Sequence, residues 1–291
     1  MIGLGEACAL GSAATWAVGV VMYRRLGEQL PPLALNAIKS VIVLTLLLPT
    51  AFLVHGANFG LSSIEIGLAV LSGLVGIALA DTLYLRALNE LGAGRMGIVG
   101  NAYSPFVILL GVVFLGERLG AIQILGFLLV SGGVLLVAKP PKEWRTHPTH
   151  TLRGVMIGLV SVMLMAVAIV MLKRTLEHAP LFWIATLRTA AALPALMLLS
   201  SARGEWKRTP ALSALPWKRI LIAATVGQFA SMLLWLAGFA YTDASTAAVL
   251  NETTSAFIVL FAWWMLDERP GRRGLFGMTL TLAGVVLMLR G

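Results

Sequence analysis

Ten apolar stretches dominate this chain, at residues 4–22, 33–54, 63–85, 94–115, 120–138, 153–172, 180–200, 217–240, 245–266 and 272–290. A helix of roughly 17–25 residues crosses the ~30 Å hydrocarbon core of a bilayer. Backbone N–H and C=O groups find no water there, so a spanning segment is a helix or part of a closed barrel. A barrel does not fit, because the stretches lack period-2 alternation and are rich in Leu, Ala, Gly and Met. The composition agrees: 58% of residues are apolar and 12% are charged, against ~25% charged in an average globular domain. So few charges cannot cover a water-facing surface, which excludes soluble enzymes, nucleic-acid readers and secreted disulfide scaffolds. Cys8 is the single cysteine and has no internal disulfide partner. The net charge of +9 does not point to nucleic acid, because Lys and Arg sit in short loops between apolar stretches, where they set topology. Met1–Gly5 carries no positive charge, so the first stretch reads as a span rather than a cleaved signal.

The chain repeats itself. Gly116-Glu117-Arg118-Leu119 closes the fourth stretch and Asp267-Glu268-Arg269-Pro270 closes the ninth, 151 residues later. The same offset pairs Tyr84 with Trp235, Asn101 with Glu252, Ser104 with Ser255, Gly126 with Gly277 and Gly133 with Gly284. An offset of 149 pairs Arg24, Arg25 and Pro31 with Lys173, Arg174 and Pro180, and Lys39 with Arg188. The predicted organisation is a first five-helix repeat (1–140), a basic linker (141–152) and a second five-helix repeat (153–291). Five is odd, so the second half enters the membrane from the opposite side. The expected fold is an all-α polytopic membrane protein with ten transmembrane helices in two inverted five-helix repeats. Many secondary transporters share this plan and bind substrate near the midplane between their halves. A duplicated scaffold that transports nothing is the competing reading.

The Glu-Arg junctions, the basic residue early in the second stretch of each half (Lys39, Arg188) and Trp16 in the first stretch resemble the EamA-type drug/metabolite transporter superfamily. The resemblance covers nearly the whole chain. It implies a small-molecule permease, often an exporter of amino acids or other metabolites. Helices one to four and six to nine would surround a central cavity, with helices five and ten outside as scaffold. Substrate does not carry over, since the superfamily handles many classes.

Loop charges predict orientation. The odd-numbered loops carry sixteen Lys and Arg, against four on the other side. By the positive-inside rule the odd loops are cytoplasmic and both termini face outward, whereas the resemblance implies termini inside.

Ionisable residues inside a membrane are costly and are functional candidates by default. Here they are Glu6, Lys39, Asp81, Arg188 and Glu252. Glu252 is deepest by count, and Ala248, Glu252, Ser255 and Val259 share one helix face. Its counterpart face carries Gly97, Asn101, Ser104 and Ile108. Burial disfavours the charged form of a carboxylate, so Glu252 is the expected proton carrier, with Asp81 and Glu6 next. A structural hydrogen bond from protonated Glu252 to Asn101 or Asn251 is the alternative. Lys39 and Arg188 could bind anionic groups, snorkel to headgroups or pair with carboxylates, for example Arg188 with Glu6. Asp81 shares a face with Ile77 and Tyr84, and is expected to pair with Arg86 or Arg95. Trp16, Tyr84, Tyr103 and Trp235 offer aromatic walls, Gln228, Asn251 and Ser255 polar ones, and Pro105 a bend. Trp263 and Trp264 read as interfacial belt residues. Glu117 and Glu268 are expected to complement helix N-termini. Gly126, Gly133, Gly277 and Gly284 permit close packing of helices five and ten, against their own half or as a homodimer.

The predicted function is a proton-coupled secondary transporter, an exporter, of a small polar metabolite such as an amino acid, in the cell membrane. Expected partners are substrate, protons and lipid, with no nucleic acid, cofactor or metal. A flippase for an amphipathic substrate and a non-transporting assembly subunit are the alternatives. An enzyme is not expected: His55, His147, His150 and His178 lie in loops or at stretch ends and form no zinc motif, and no phosphate-binding loop is present.

Overall fold

The computed structural model describes residues 3–57, 60–92, 96, 99–137, 148–266 and 272–288. Their regular structure is all helical, with turns and short loops between helices and no strand among the described residues. In chain order the helices of eight or more residues are α1 (Leu4–Leu26), α2 (Pro32–His55), α3 (Ser63–Leu91), α4 (Tyr103–Leu115), α5 (Ala121–Val137), α6 (Pro148–Val170), α7 (Leu181–Ala202), α8 (Trp217–Tyr241), α9 (Ala244–Asn251), α10 (Thr254–Leu266) and α11 (Arg272–Met288). Among the described residues, α1, α2, α3, α6, α7 and α8 are long and apolar enough to cross a membrane. The other helices are shorter. The ninth stretch is two helices rather than one.

Local chemistry sets the boundaries. α2 starts at Pro32, where a missing N–H removes a donor that would have no intrahelical acceptor. The N–H groups of Leu33 and Ala34 then donate to Glu205 Oε2 at 2.9 and 3.3 Å. At α3, Ser62 and Glu65 form a reciprocal capping box. Glu117 accepts the N–H groups of Ala244 and Ser245 at the start of α9, at 2.7 and 3.0 Å. This is the N-terminal role expected of it. Glu268 lies outside the described residues, as do Arg95 and Gly97 and the side chains of Trp263, Trp264 and His150.

Small residues let the helices cross closely. α1 meets α8 at Gly19 and Gly227, and a Cβ on Gly227 would overlap the Gly19 backbone. α6 meets α3 at Ala168 and Gly76, and a Cβ on Gly76 would sit 3.0 Å from the Ala168 Cβ. Ser12 Oγ donates to the Ser231 carbonyl at 3.1 Å, and Ser161 Oγ donates to the Ala80 carbonyl at 3.0 Å. Ser12 and Ser161 stand 149 residues apart, and Ala80 and Ser231 151. The contact is therefore made twice, between matching positions.

α3 and α8 both widen into π-helical turns, at Gly73–Asp81 and Thr225–Ala230. Shifted by 151 residues, the first covers 224–232 and so contains the second. Such turns add a residue per turn and concentrate at functional sites. α5 and α11 lie against each other: Gly133 faces Thr281 and the Gly277 carbonyl, and Gly284 faces Val130 and the Gly126 carbonyl. The outer faces stay apolar, with Leu53 87%, Leu198 71% and Phe276 61% exposed. Such faces suit lipid, which needs no polar covering.

Candidate functional site

A cavity of about 170 Å³ lies where α1, α3, α6, α7, α8 and the α9–α10 junction converge, beside Gly100, Asn101 and Tyr103. Two helix breaks open onto it. Ahead of α4 the backbone turns at Asn101 and Ala102, and between α9 and α10 it turns at Glu252 and Thr253. Asn101 and Glu252 match in the repeat. Pro105 lies in the first turn of α4 and has no N–H to offer the Asn101 carbonyl, which favours the first break. At the second, the N–H groups of Glu252, Thr253 and Ser255 reach back only three residues, at 3.1 to 3.2 Å. The hydroxyls of Thr253 and Thr254 bond the carbonyls of Leu250 and Asn251, both at 2.7 Å. These short side chains compete with the helical ladder.

Glu252 lines the cavity and is 5% exposed. Its carboxylate accepts from Ser104 Oγ, and from Ser131 Oγ on α5 at 3.2 Å. The partners are thus serines, and not the Asn101 or Asn251 of the alternative reading. Ser104 stands behind Glu252 and does not itself line the cavity. Asn101 Oδ1 lies 3.5 Å from Ser255 Oγ, while Asn101 Nδ2 has no hydrogen-bond partner among the described residues.

The two basic residues differ. Lys39 is buried behind the wall, and its Nζ donates to Asp81 Oδ2 at 2.7 Å and to Gln228 Oε1 at 2.9 Å, both of which line the cavity. It also sits 5.3 Å from the Tyr23 ring centroid, an arrangement that favours a cation. Lys39 therefore does not snorkel. Asp81 pairs with it instead of Arg86, which bonds Glu90 at 3.3 Å. The reason is distance across helices: α2 brings an ammonium to the cavity side of α3, and Arg86 points elsewhere. Arg188 lines the cavity at 3% exposure, with its guanidinium 5.3 Å from the Trp235 ring centroid. Its Nε and Nη1 have no hydrogen-bond partner among the described residues. Glu6 accepts instead from Thr242 Oγ1 at 3.2 Å, near the start of α1, and does not line the cavity. The Arg188–Glu6 pair is not formed, because Glu6 meets Thr242 near the start of α1 while Arg188 faces the cavity.

Trp16, Tyr84, Tyr103, Trp235, Gln228, Asn251 and Ser255 all line the cavity, with Trp16 and Tyr84 ring centroids 5.6 Å apart. Sequence reading missed Ser12, Ser231, Met232 and Thr254 on the wall, and Ser131 behind it. The polar run Asn251-Glu252-Thr253-Thr254 was the available signal for the break.

Residues 3–139 and 152–290 each match the EamA-like transporter family. The threonine/homoserine exporter RhtA of Escherichia coli (strain K12) is 34% identical over 143 residues, 47% of this chain and 48% of that protein. Its counterpart in Salmonella typhimurium (strain LT2) is 31% identical over a stretch of the same length. The match thus spans about half the length of these exporters. An uncharacterized transporter of Archaeoglobus fulgidus is 27% identical over 281 residues, 94% of this chain and 92% of that protein. A solved crystal structure superimposes with a TM-score of 0.80 over 97% of this chain and 95% of its own, at 15% identity, so the fold is shared. This chain belongs to the EamA-like transporter family and is a multi-pass membrane protein.

Proposed function

We propose that this chain is a secondary active exporter of a small amino acid or closely related polar metabolite, coupled to protons by alternating access. The observation that carries the reading is the pair of helix breaks at Asn101 and Glu252, which open onto one buried cavity at matching positions of the repeat. Discontinuous helices of this kind form the substrate and ion sites of inverted-repeat transporters. The two stretches that match the family, 3–139 and 152–290, support two halves of five helices each, ten spans in all. Rocking of one half against the other would expose the cavity to each side in turn. The amino-acid class rests on the partial match to the threonine/homoserine exporters.

Glu252 is the proton carrier in this reading. It is the buried carboxylate on the wall that has no basic partner among the described residues, whereas Asp81 is held by Lys39. Substrate and proton compete around it, which gives antiport. The protein sits in the cell membrane with its odd-numbered loops in the cytoplasm, as the loop charges favour. Any homodimer through α5 and α11 would use their outward faces, since their glycine faces meet within the chain.

The test is uptake by proteoliposomes that contain only the purified protein. Labelled L-threonine, L-homoserine and the remaining protein amino acids are offered with and without an imposed pH gradient. Gradient-dependent accumulation of at least one is expected. Vesicles that accumulate none of them would defeat the reading.

A further inference from the structure

The repeat makes the two buried cations comparable, and the comparison is uneven. Lys39 and Arg188 match at the offset of 149, and Asp81 matches Met232 at the offset of 151. In the first half Lys39 has its counter-ion, Asp81, at 2.7 Å. In the second half that position is Met232, an apolar side chain on the cavity wall. Gln228, whose match in the first half is Ile77, does not compensate, because its Oε1 accepts from Lys39 at 2.9 Å. Arg188 is left with Nε and Nη1 unbonded among the described residues, at 3% exposure, on the wall of the cavity. Neither wall carboxylate reaches it with a hydrogen bond: Asp81 is held by Lys39, and Glu252 by Ser104 and Ser131.

A buried guanidinium calls for an anion. Its planar fork of donors fits a carboxylate better than a rounded ammonium does. The cavity of about 170 Å³ suits a small organic acid. We infer that Arg188 anchors a carboxylate of the transported molecule, which supplies in the second half the counter-charge that Asp81 supplies to Lys39 in the first. This deepens the transport reading above and rests on it for the amino-acid class. The Trp235 ring lies on the same wall with its centroid 5.3 Å from the guanidinium, an arrangement that favours the cation. Asn101 Nδ2, also unbonded among the described residues, offers a neutral donor to the same ligand. Lys39, already neutralised, takes no part in binding. The apolar Met232 then has a function, since an acid in its place would satisfy Arg188 internally and shut the ligand out.

The experiment is equilibrium binding to the purified protein in detergent by calorimetry. The probes are L-threonine, L-threonine methyl ester, 1-amino-2-propanol, lactate and succinate. The ester and the amino alcohol keep the amine and lack the carboxylate charge. On the wild-type protein they should bind at least tenfold more weakly than L-threonine, from the loss of a charge-assisted pair. Arg188→Gln and Met232→Asp should each weaken L-threonine by a similar factor. The ester comparison uses the wild-type chain and stands even where a variant misfolds. Equal affinity for ester and acid overturns the inference, and so does full L-threonine affinity in a folded Arg188→Gln protein. Should L-threonine fail while lactate or succinate binds with dependence on Arg188, the amino-acid reading falls and the carboxylate anchor stands. Absence of Arg188-dependent binding by every carboxylate probed overturns the anchor.

Discussion

Glu117 Oε1 accepts the backbone N–H of Ala244 at 2.7 Å, so the residue that closes α4 also caps α9. The second oxygen takes the Ser245 N–H at 3.0 Å, which anchors the helix that ends in the break at Glu252. Removal of such a cap costs ~0.5–2 kcal/mol. Glu117→Ala should therefore lower the melting temperature of the detergent-solubilised protein. Glu117→Gln, which keeps one acceptor oxygen, should lose less. Equal melting of all three proteins would remove the cap from the account.

Asp81 and Lys39 form a pair buried across α2 and α3, with the Lys39 side chain 2% and the Asp81 side chain 11% exposed. Breaking a buried pair from one side leaves a charge in an apolar setting and costs about 3–5 kcal/mol. Asp81→Ala should be strongly destabilised, with Gln228 unable to neutralise the ammonium. The double variant Lys39→Met, Asp81→Leu should regain most of the loss, because no charge remains. Thermal unfolding of the two proteins side by side checks this, and a double variant as unstable as the single one would contradict it.

Two glycines separate packing from propensity. A Cβ at Gly227 would strike the Gly19 backbone, while a Cβ at Gly67 would meet nothing within 4 Å. Overpacking of a tight contact costs about 1–3 kcal/mol, and Gly to Ala in a helix interior gains about 0.5–1 kcal/mol. Gly227→Ala should thus melt lower than wild type and Gly67→Ala slightly higher. The opposite order would mean that α1 and α8 do not cross at Gly19.

Much of this organisation was legible in the chain. The offsets of 149 and 151 were read from the chain, and the contacts of Ser12 and Ser161, which sequence reading did not single out, follow them. The face through Ile77, Asp81 and Tyr84 was also legible, since all three reach the cavity. The partner of Asp81 was not. Pairing depends on how α2 lies against α3, and the π turn at Gly73–Asp81 shifts the register that a 3.6-residue period assumes. Ser131 was missed for a related reason. A lone serine in an apolar helix carries no sign of which neighbour it will meet, and α5 otherwise reads as lipid-facing. Glu6 was placed too near Arg188 because depth along a helix says nothing about what lies between two helices.

Proton coupling through Glu252 is tested most directly by Glu252→Gln in proteoliposomes, assayed in two modes with labelled L-threonine. Gln keeps the shape and can still bond Ser104 and Ser131, but it cannot carry a proton. The account predicts that exchange of internal for external substrate continues in the variant, while accumulation driven by an imposed pH gradient is lost. A Glu252→Gln protein that still concentrates substrate under the gradient as the wild type does would contradict it.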